Sequence, residues 1–137
     1  MGMFDGFGGS QIQLTAKLAL VAGMVYISAA DGHLDDNEAG DILKVVPDGR
    51  TLEAALQFCR RVGYQQFLEE AARLLSPQQK LCIIVNCADM AMGDGYLAPE
   101  EQQRLMYMAQ YFQIPDAHLH PYIQTLMVKN NLSIFPA

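Results

Sequence analysis

One pattern occurs twice in the chain, 63 positions apart, and it constrains the fold more than any other feature. Each copy is an apolar run followed by Asp-Gly, a Leu two positions after the Gly, and then a Glu. The first copy, Asp31–Glu38, is called the first acidic turn here, and Asp94–Glu101 is the second acidic turn. A constant offset is typical of an internal duplication. We therefore predict two copies of one unit that consists of a helix, an acidic turn and a second helix.

The composition predicts a globular domain that is not a nucleic-acid-binding protein. Of the 137 residues, 51% are hydrophobic and 18% are charged, which is enough apolar material for a substantial core. A net charge of −6 argues against nucleic acid, because phosphate binding requires clustered Lys and Arg. The same charge suits cations or basic partners.

Three further features predict a soluble cytoplasmic protein. The cysteines, at positions 59, 82 and 87, are odd in number and form no CxxC pair, as expected for free thiols in a reducing compartment. Met1–Ser10 lacks the basic segment of a signal peptide. The longest uncharged run after Lys17, Leu18–Ala30, is shorter than the ~20 residues that span a bilayer, so no membrane insertion is expected.

Hydrophobic periodicity predicts an all-α fold. No stretch alternates with period two for long enough to indicate a sheet. Residues 1–10 are predicted to be a flexible arm, and residues 11–137 a single compact domain of about seven helices. Two of these, Gln11–Ala30 and Pro77 to about Met92, are apolar on nearly every face, which is typical of buried central helices.

Several positions carry helix-start signals. Asp35 with Glu38, and Ser76 with Gln79, have the spacing of a capping box, in which the first side chain and the third helical residue bond each other's backbone N–H. Pro99 is expected at the first helical position. Thr51 and Asp116 are predicted to be N-caps.

Capping does not explain all the carboxylates. Asp31 and Asp94 follow the C-terminal end of a helix, where the helix dipole disfavours a negative charge. Neighbouring carboxylates also repel each other unless a cation or a basic side chain lies among them. Oxygen ligands with few imidazoles or thiols suit Ca²⁺, Mg²⁺ or Mn²⁺. The candidate metal ligands are Asp31, Asp35, Glu38, Asp94 and Glu101.

The two acidic turns can share one ion only in one arrangement of the central helices. If these helices pack in parallel, their C-terminal ends meet. If they pack antiparallel, about 17 residues at 1.5 Å rise hold the turns roughly 25 Å apart. The second copy is also the poorer one, because Ala98 stands where the first has Asp35.

Other motifs are weaker. His118 and His120 are two positions apart and so do not face each other on a helix. The Met-rich stretches around Met90 and Met106 are interpreted as core. Asn86 and Asp89 interrupt an apolar run, facing either outward or towards the acidic turns. No nucleophile signature and no phosphate-binding loop is present, so the chain is not expected to be an enzyme.

Residues 30–38 and 93–101 resemble the paired Asp-Gly-x-aliphatic-x-x-x-Glu turns of the tellurite-resistance TerB family. The resemblance covers about Leu14–Phe112. It implies a compact all-α domain with an acidic patch and a metal site formed by both turns. It also implies a bacterial stress-response role, in tellurite, phage and colicin resistance, beside the integral membrane protein TerC at the inner face of the membrane. Ala98 departs from the Asp often found there.

Three hypotheses follow. The leading one is a non-enzymatic module that binds a divalent cation, similar to TerB and peripheral to the inner membrane. The alternative is an acidic surface that docks a basic partner without a metal. The third is a metal-dependent hydrolase, which would need a substrate pocket beside the acidic turns. The sequence supplies no separate base or oxyanion donor for that chemistry.

Overall fold

The computed structural model describes residues 12–29, 33–93 and 97–137, and all regular structure in these ranges is helical. The all-α prediction is confirmed. Asp31, Asp94 and the predicted N-terminal arm lie outside the described residues. The helices are α1 Ala16–Ser28, α2 Asp36–Val45, α3 Gly49–Arg61, α4 Tyr64–Leu74, α5 Pro77–Ala91, α6 Pro99–Tyr111 and α7 Asp116–Asn130, followed by a 3-10 turn at Leu132–Ile134.

Helix α1 is the centre of the fold, as its apolar sequence predicts. Nearly every residue from Leu18 to Ile27 is buried. The helix begins at Ala16. The predicted start at Gln11 is therefore wrong, because the described residues Ile12–Thr15 are not helical. Thr15 is the N-cap, and its hydroxyl accepts a hydrogen bond from the Leu18 backbone N–H at 3.2 Å.

Helix α5 packs on α1 in the parallel direction. A Cβ placed on Gly23 would lie 3.2 Å from Cγ2 of Ile83 and 3.6 Å from Sγ of Cys87, so the two backbones approach closely there. Further along, the Ser28 hydroxyl lies 3.6 Å from the sulfur of Met90. The residue numbers of the partners rise together along both helices. Helices α1 and α5 are therefore parallel.

Helix α5 is less enclosed than its sequence predicts. It buries one face, including Ile83, Ile84 and Cys87, whereas Gln79 and Cys82 are exposed. Its helical neighbours are α1, α6 and α7, which leave an outer face in contact with water. The prediction of an all-round buried helix is thus wrong for α5 and correct for α1.

Helices α3 and α6 also pack against α1, as do α2 and α4. Helix α3 runs parallel to it: Cys59 contacts the carbonyl oxygen of Ala22 at 3.8 Å, and the Tyr26 hydroxyl donates to the carbonyl oxygen of Val62. Helix α6 is antiparallel, because Met108 lies near Gly23 whereas Arg104 bonds Ile27. The beginning of α6 therefore lies beside the C-terminal end of α1.

The repeat and the capping boxes agree with the structure. Helices α2 and α6 begin 63 positions apart, at Asp36 and Pro99. Both predicted capping boxes are present, at the starts of α2 and α5, and Pro99 is the first residue of α6. Among the described helices, none is long and apolar enough to cross a membrane.

Two predicted N-caps are wrong. Helix α3 is capped by Asp48, not Thr51, because the Asp48 carboxylate accepts hydrogen bonds from the backbone N–H groups of Arg50 and Thr51 and from the Thr51 hydroxyl. Helix α7 is preceded by Pro115, and Asp116 is its first helical residue. An Asp in that first turn still interacts favourably with the helix dipole.

Candidate functional site

The C-terminal ends of α1 and α5 lie side by side at one end of the molecule. Helix α1 ends at Ser28 and α5 at Ala91, and the 3.6 Å contact between Ser28 and Met90 joins these ends. An antiparallel pair, with its ends roughly 25 Å apart, is therefore excluded. The geometric condition for a site shared by both acidic turns is met by the described residues. The positions of Asp31 and Asp94 themselves stay a prediction.

Asp35 and Glu38 hold the start of α2 together. The Glu38 backbone N–H donates to Oδ1 of Asp35 at 2.7 Å, and the Asp35 N–H donates to Oε1 of Glu38 at 3.0 Å. Each bond uses one of the two oxygens of a carboxylate. Capping is thus an established role for both side chains, and a role as metal ligands would be additional to it.

The second acidic turn is built differently. Ala98 is the N-cap of α6 and provides no side-chain hydrogen bond, as expected from its methyl group. Glu100 and Glu101 lie in the first turn of α6, where the helix dipole favours carboxylates. Glu100 is exposed and Glu101 is half-buried. The second copy therefore lacks one carboxylate of the first.

Arg104 is a described residue at this end to which the sequence patterns assigned no role. Its Nε and Nη2 donate to the Ile27 carbonyl oxygen at 3.2 and 2.8 Å. This carbonyl is among the last four of α1, which have no partner within a regular helix. The guanidinium also places a positive charge at the negative end of the α1 dipole. Arg104 thereby fastens the first half of α6, which carries Glu101, to the end of α1.

A sequence signal for Arg104 existed. It is the only basic residue in α6, and it lies one helical turn after Glu101, on the same face. Leu105, Met108 and Ala109 form the buried stripe of α6, and Arg104 directly precedes Leu105 in the sequence. Arg104 is a basic side chain at the end of α1 that leads into the first acidic turn, and its two described side-chain hydrogen bonds are both to Ile27.

Asp89 and Asn86 form hydrogen bonds with other described residues of α5 and α7. Both carboxylate oxygens of Asp89 accept hydrogen bonds from Nζ of Lys129 at 3.0 Å, and one accepts from Nδ2 of Asn130 at 2.9 Å. Partial burial raises the pKa of Asp89, but these bonds and the Lys129 charge outweigh it and hold the pKa below its ordinary value. Asp89 thus fastens the end of α7 to α5. Asn86 donates to the Cys82 carbonyl oxygen at 2.9 Å.

The described residues of the types that bind metals do not form a cluster. No three His, Cys, Asp or Glu side chains among these residues lie close enough to hold a metal ion, and Asp31 and Asp94 are not among them. His118 and His120 lie near the start of α7, and the three cysteines are free thiols. Met92 and Met108 are buried as predicted, whereas Met106 is 48% exposed.

A groove of about 660 Å³ lies between α6 and α7, and its lining includes Leu97 of the second acidic turn. It is large enough for a substrate or a partner side chain. Its polar side chains are those of Gln102, Asp116 and His120. The groove between the helices, called the α6–α7 groove here, is lined by Leu97, Gln102, Leu105, Met106, Asp116, Ala117, Leu119, His120, Pro121 and Ile123.

No protein-family model, curated protein or solved structure matches this chain. Inferences about its function therefore depend on its own residues and their arrangement.

Proposed function

We propose that this protein is a non-enzymatic interaction module that binds one divalent cation between its two acidic turns. The observation that carries the proposal is the parallel packing of α1 and α5, joined near their ends by the Ser28–Met90 contact. Asp31 and Glu38 from the first acidic turn, and Asp94 and Glu101 from the second, would provide the oxygen ligands. Asp35 would assist them or serve only as a cap.

The chemistry of the ligand set favours a hard cation. Carboxylate oxygens suit Ca²⁺, Mg²⁺ or Mn²⁺, of which Ca²⁺ accepts the widest range of ligand numbers and geometries. The resemblance of both turns to those of TerB proteins supports the same kind of site. It extends the proposal to a role in a tellurite-linked stress response, at the cytoplasmic face of the inner membrane beside a TerC-like protein.

Titration calorimetry with Ca²⁺, Mg²⁺ and Mn²⁺ tests the proposal. We expect the wild-type protein to bind at least one of these ions and Asp31→Asn/Asp94→Asn to lose that binding. Glu53→Gln/Glu69→Gln is the matched control, because it removes the same two charges from exposed positions on α3 and α4. No heat of binding from the wild-type protein at millimolar ion would overturn the proposal, as would equal losses in the two double variants.

The two roles of Asp35 can be separated by a pair of substitutions. Asn is as good an N-cap as Asp, whereas Ala removes the cap at a cost of about 1 kcal/mol. If Asp35 is also a ligand, Asp35→Asn weakens ion binding without lowering stability, and Asp35→Ala does both. Unchanged affinity in Asp35→Asn would assign Asp35 to capping alone.

A second candidate function is an acidic surface that docks a basic partner without a metal. The observation that favours it is the exposure of Asp35 and Asp36 at the start of α2 and of Glu100 at the start of α6. Partner binding would then weaken with added salt, because exposed charges are screened, but would not respond to chelators. Ion-dependent binding of the partner would argue for the first function instead.

A further inference from the structure

We propose that a cleft between the start of α5 and the turn from α6 to α7 binds a small organic carboxylate, with the carboxylate group at Lys80. The cleft, called the Lys80 cleft here, has a volume of about 400 Å³, and its lining includes Gln78, Lys80, Leu81, Phe112, Gln113 and His118. The 15 residues of α5, at 1.5 Å rise, place it roughly 20 Å from the end of that helix where the acidic turns begin. The proposal therefore does not require a cation at those turns.

Among the four lysines of the chain, Lys80 alone forms no ion pair with a described carboxylate. The other three are exposed and lie within 3.5 Å of a carboxylate oxygen, in the pairs Lys17–Asp48, Lys44–Asp41 and Lys129–Asp89. Lys80 is half-buried, and α5 has no acidic residue in its first turn. Packing of its methylene groups explains its burial but provides no negative charge for its ammonium group. A bound anion would provide that charge.

The other polar side chains in the lining can also donate hydrogen bonds. They are the amides of Gln78 and Gln113 and the imidazole of His118, and none of these groups bonds to another described residue. The lining contains no Asp or Glu, and the adjacent Asp116 lines the α6–α7 groove instead. Phosphate groups are typically held by bidentate Arg side chains, which this lining lacks. One ammonium with neutral donors is suited to a single carboxylate.

Gln113 occupies a backbone position that favours Gly. Its φ of 56° is the only positive φ of a non-Gly residue in the described ranges. The Gln113 N–H donates to the carbonyl oxygen of Gln110 at 3.2 Å, and the next N–H, of Ile114, donates to that of Ala109 at 2.9 Å. These two bonds form a Schellman motif, in which Gly usually takes the left-handed position. A strained residue whose side chain lines a cleft is typical of a ligand site.

The apolar part of the lining is suited to the body of the ligand. Phe112 is buried, and Leu81 and Ile114 are half-buried. A volume of about 400 Å³ lies within the range of roughly 300–1,000 Å³ that is usual for small-molecule sites, which combine apolar walls with a few polar groups. The ligand is therefore expected to be a carboxylate with an apolar body.

Titration calorimetry with sodium octanoate tests the proposal, and octylammonium chloride is the matched compound with the same chain length and the opposite charge. Octanoate should bind at least about tenfold more tightly than octylammonium, which corresponds to about 1.4 kcal/mol. In NMR spectra of the labelled protein, octanoate should shift the amide signals of residues 77–81 and 112–118. Equal binding of the two compounds, no binding of octanoate at millimolar concentration, or shifts confined to other residues would overturn the proposal.

A pair of lysine variants tests the role of Lys80. Lys80→Gln should weaken octanoate binding about fivefold or more, which corresponds to about 1 kcal/mol. Lys44→Gln is the matched control, because it removes the same charge from an exposed position on α2 outside the lining. It should leave the affinity within about twofold, a change of about 0.4 kcal/mol. Equal losses in the two variants would overturn the proposal, and circular dichroism verifies that each variant is folded.

Gln113→Gly separates ligand binding from stability. Gly adopts a positive φ without steric cost, so the Tm of this variant should rise. Its affinity for octanoate should fall, because the amide group of Gln113 is lost from the lining. A higher Tm with unchanged affinity would contradict the assignment of Gln113 to the site.

Discussion

Arg104 is the residue that most directly joins the two halves of the candidate site. Replacing it with Met removes both hydrogen bonds to the Ile27 carbonyl oxygen. Because the carbonyl of the buried Ile27 would lose its partner, we expect a loss of about 1–3 kcal/mol in the free energy of unfolding. Arg104→Lys should lose less, since an ammonium can still donate one bond. Urea unfolding measures both, and a fully stable Arg104→Met protein would contradict this account.

Asp48 gives the protein a predictable response to acid. The Thr51 hydroxyl and the Lys17 ammonium, together with backbone N–H groups, lower the pKa of Asp48 from 3.8 to about 2. A carboxylate with a lowered pKa stabilises the folded state above its ordinary pKa and loses that contribution as the pH falls towards the lower value. We therefore expect Tm to fall between about pH 4 and pH 2.

Asp48→Asn is the variant that isolates this effect. Asn can still cap α3 but cannot titrate, so the decline of Tm over the same pH range should be shallower than in the wild-type protein. Thermal unfolding by circular dichroism at several pH values measures the difference. Parallel acid limbs in the two proteins would contradict the assignment.

The crossing of α1 with α5 and α6 leaves little room for a side chain at Gly23. A Cβ there would lie 3.2 Å from Cγ2 of Ile83 and 3.5 Å from Cε of Met108. Gly23→Ala gains up to about 1 kcal/mol of helix propensity against a small displacement of Ile83, so we expect a change within about 1 kcal/mol. Gly23→Val should destabilise by about 1–3 kcal/mol, because its methyl groups overpack the crossing. Chemical unfolding measures the stability of both variants. Equal stability of Gly23→Ala and Gly23→Val would contradict this expectation.

Helix ends show which elements the sequence could predict. Asp35 with Glu38, and Ser76 with Gln79, have two reciprocal groups at fixed spacing, and both capping boxes form. Thr51 was a single polar residue competing with Asp48 three positions earlier. Asp48 is the cap because its carboxylate accepts three hydrogen bonds from the first turn of α3, including one from the Thr51 hydroxyl. Local patterns therefore identify helices reliably but choose poorly between neighbouring caps.

At the scale of the whole molecule, the three thiols should differ sharply in reactivity. Burial raises the pKa of Cys59 to about 12 and that of Cys87 further, so neither forms thiolate near neutral pH. Cys82 is exposed on the outer face of α5. We expect one fast-reacting thiol with DTNB at about pH 8 and three after unfolding. Cys82→Ser should abolish the fast phase, and a persisting fast phase would contradict the packing of α3 or α5.

The site could be predicted only in part. The repetition in the sequence identifies the acidic turns. Their positions after the two apolar helices also show that a shared site requires these helices to be parallel. The sequence could not choose the direction, because the buried stripes of two helices look the same whether they pack in parallel or antiparallel. The role of Arg104 could not be predicted for a related reason, since its partner is a backbone carbonyl 77 positions away. Every residue has a backbone carbonyl, so the sequence does not indicate which one accepts a hydrogen bond from a given side chain.

The parallel packing of α1 and α5 also affects the order in which the parts of the core assemble. Parallel helices cannot be joined by a tight turn, so the chain between α1 and α5 makes an excursion through α2, α3 and α4. Gly23 therefore meets Ile83 across 60 positions, whereas Ala22 meets Cys59 across only 37. Closing the longer loop costs more chain entropy, and contacts of large sequence separation slow folding. The α1–α3 pair should thus form first, and α5 should dock onto a partly assembled N-terminal half.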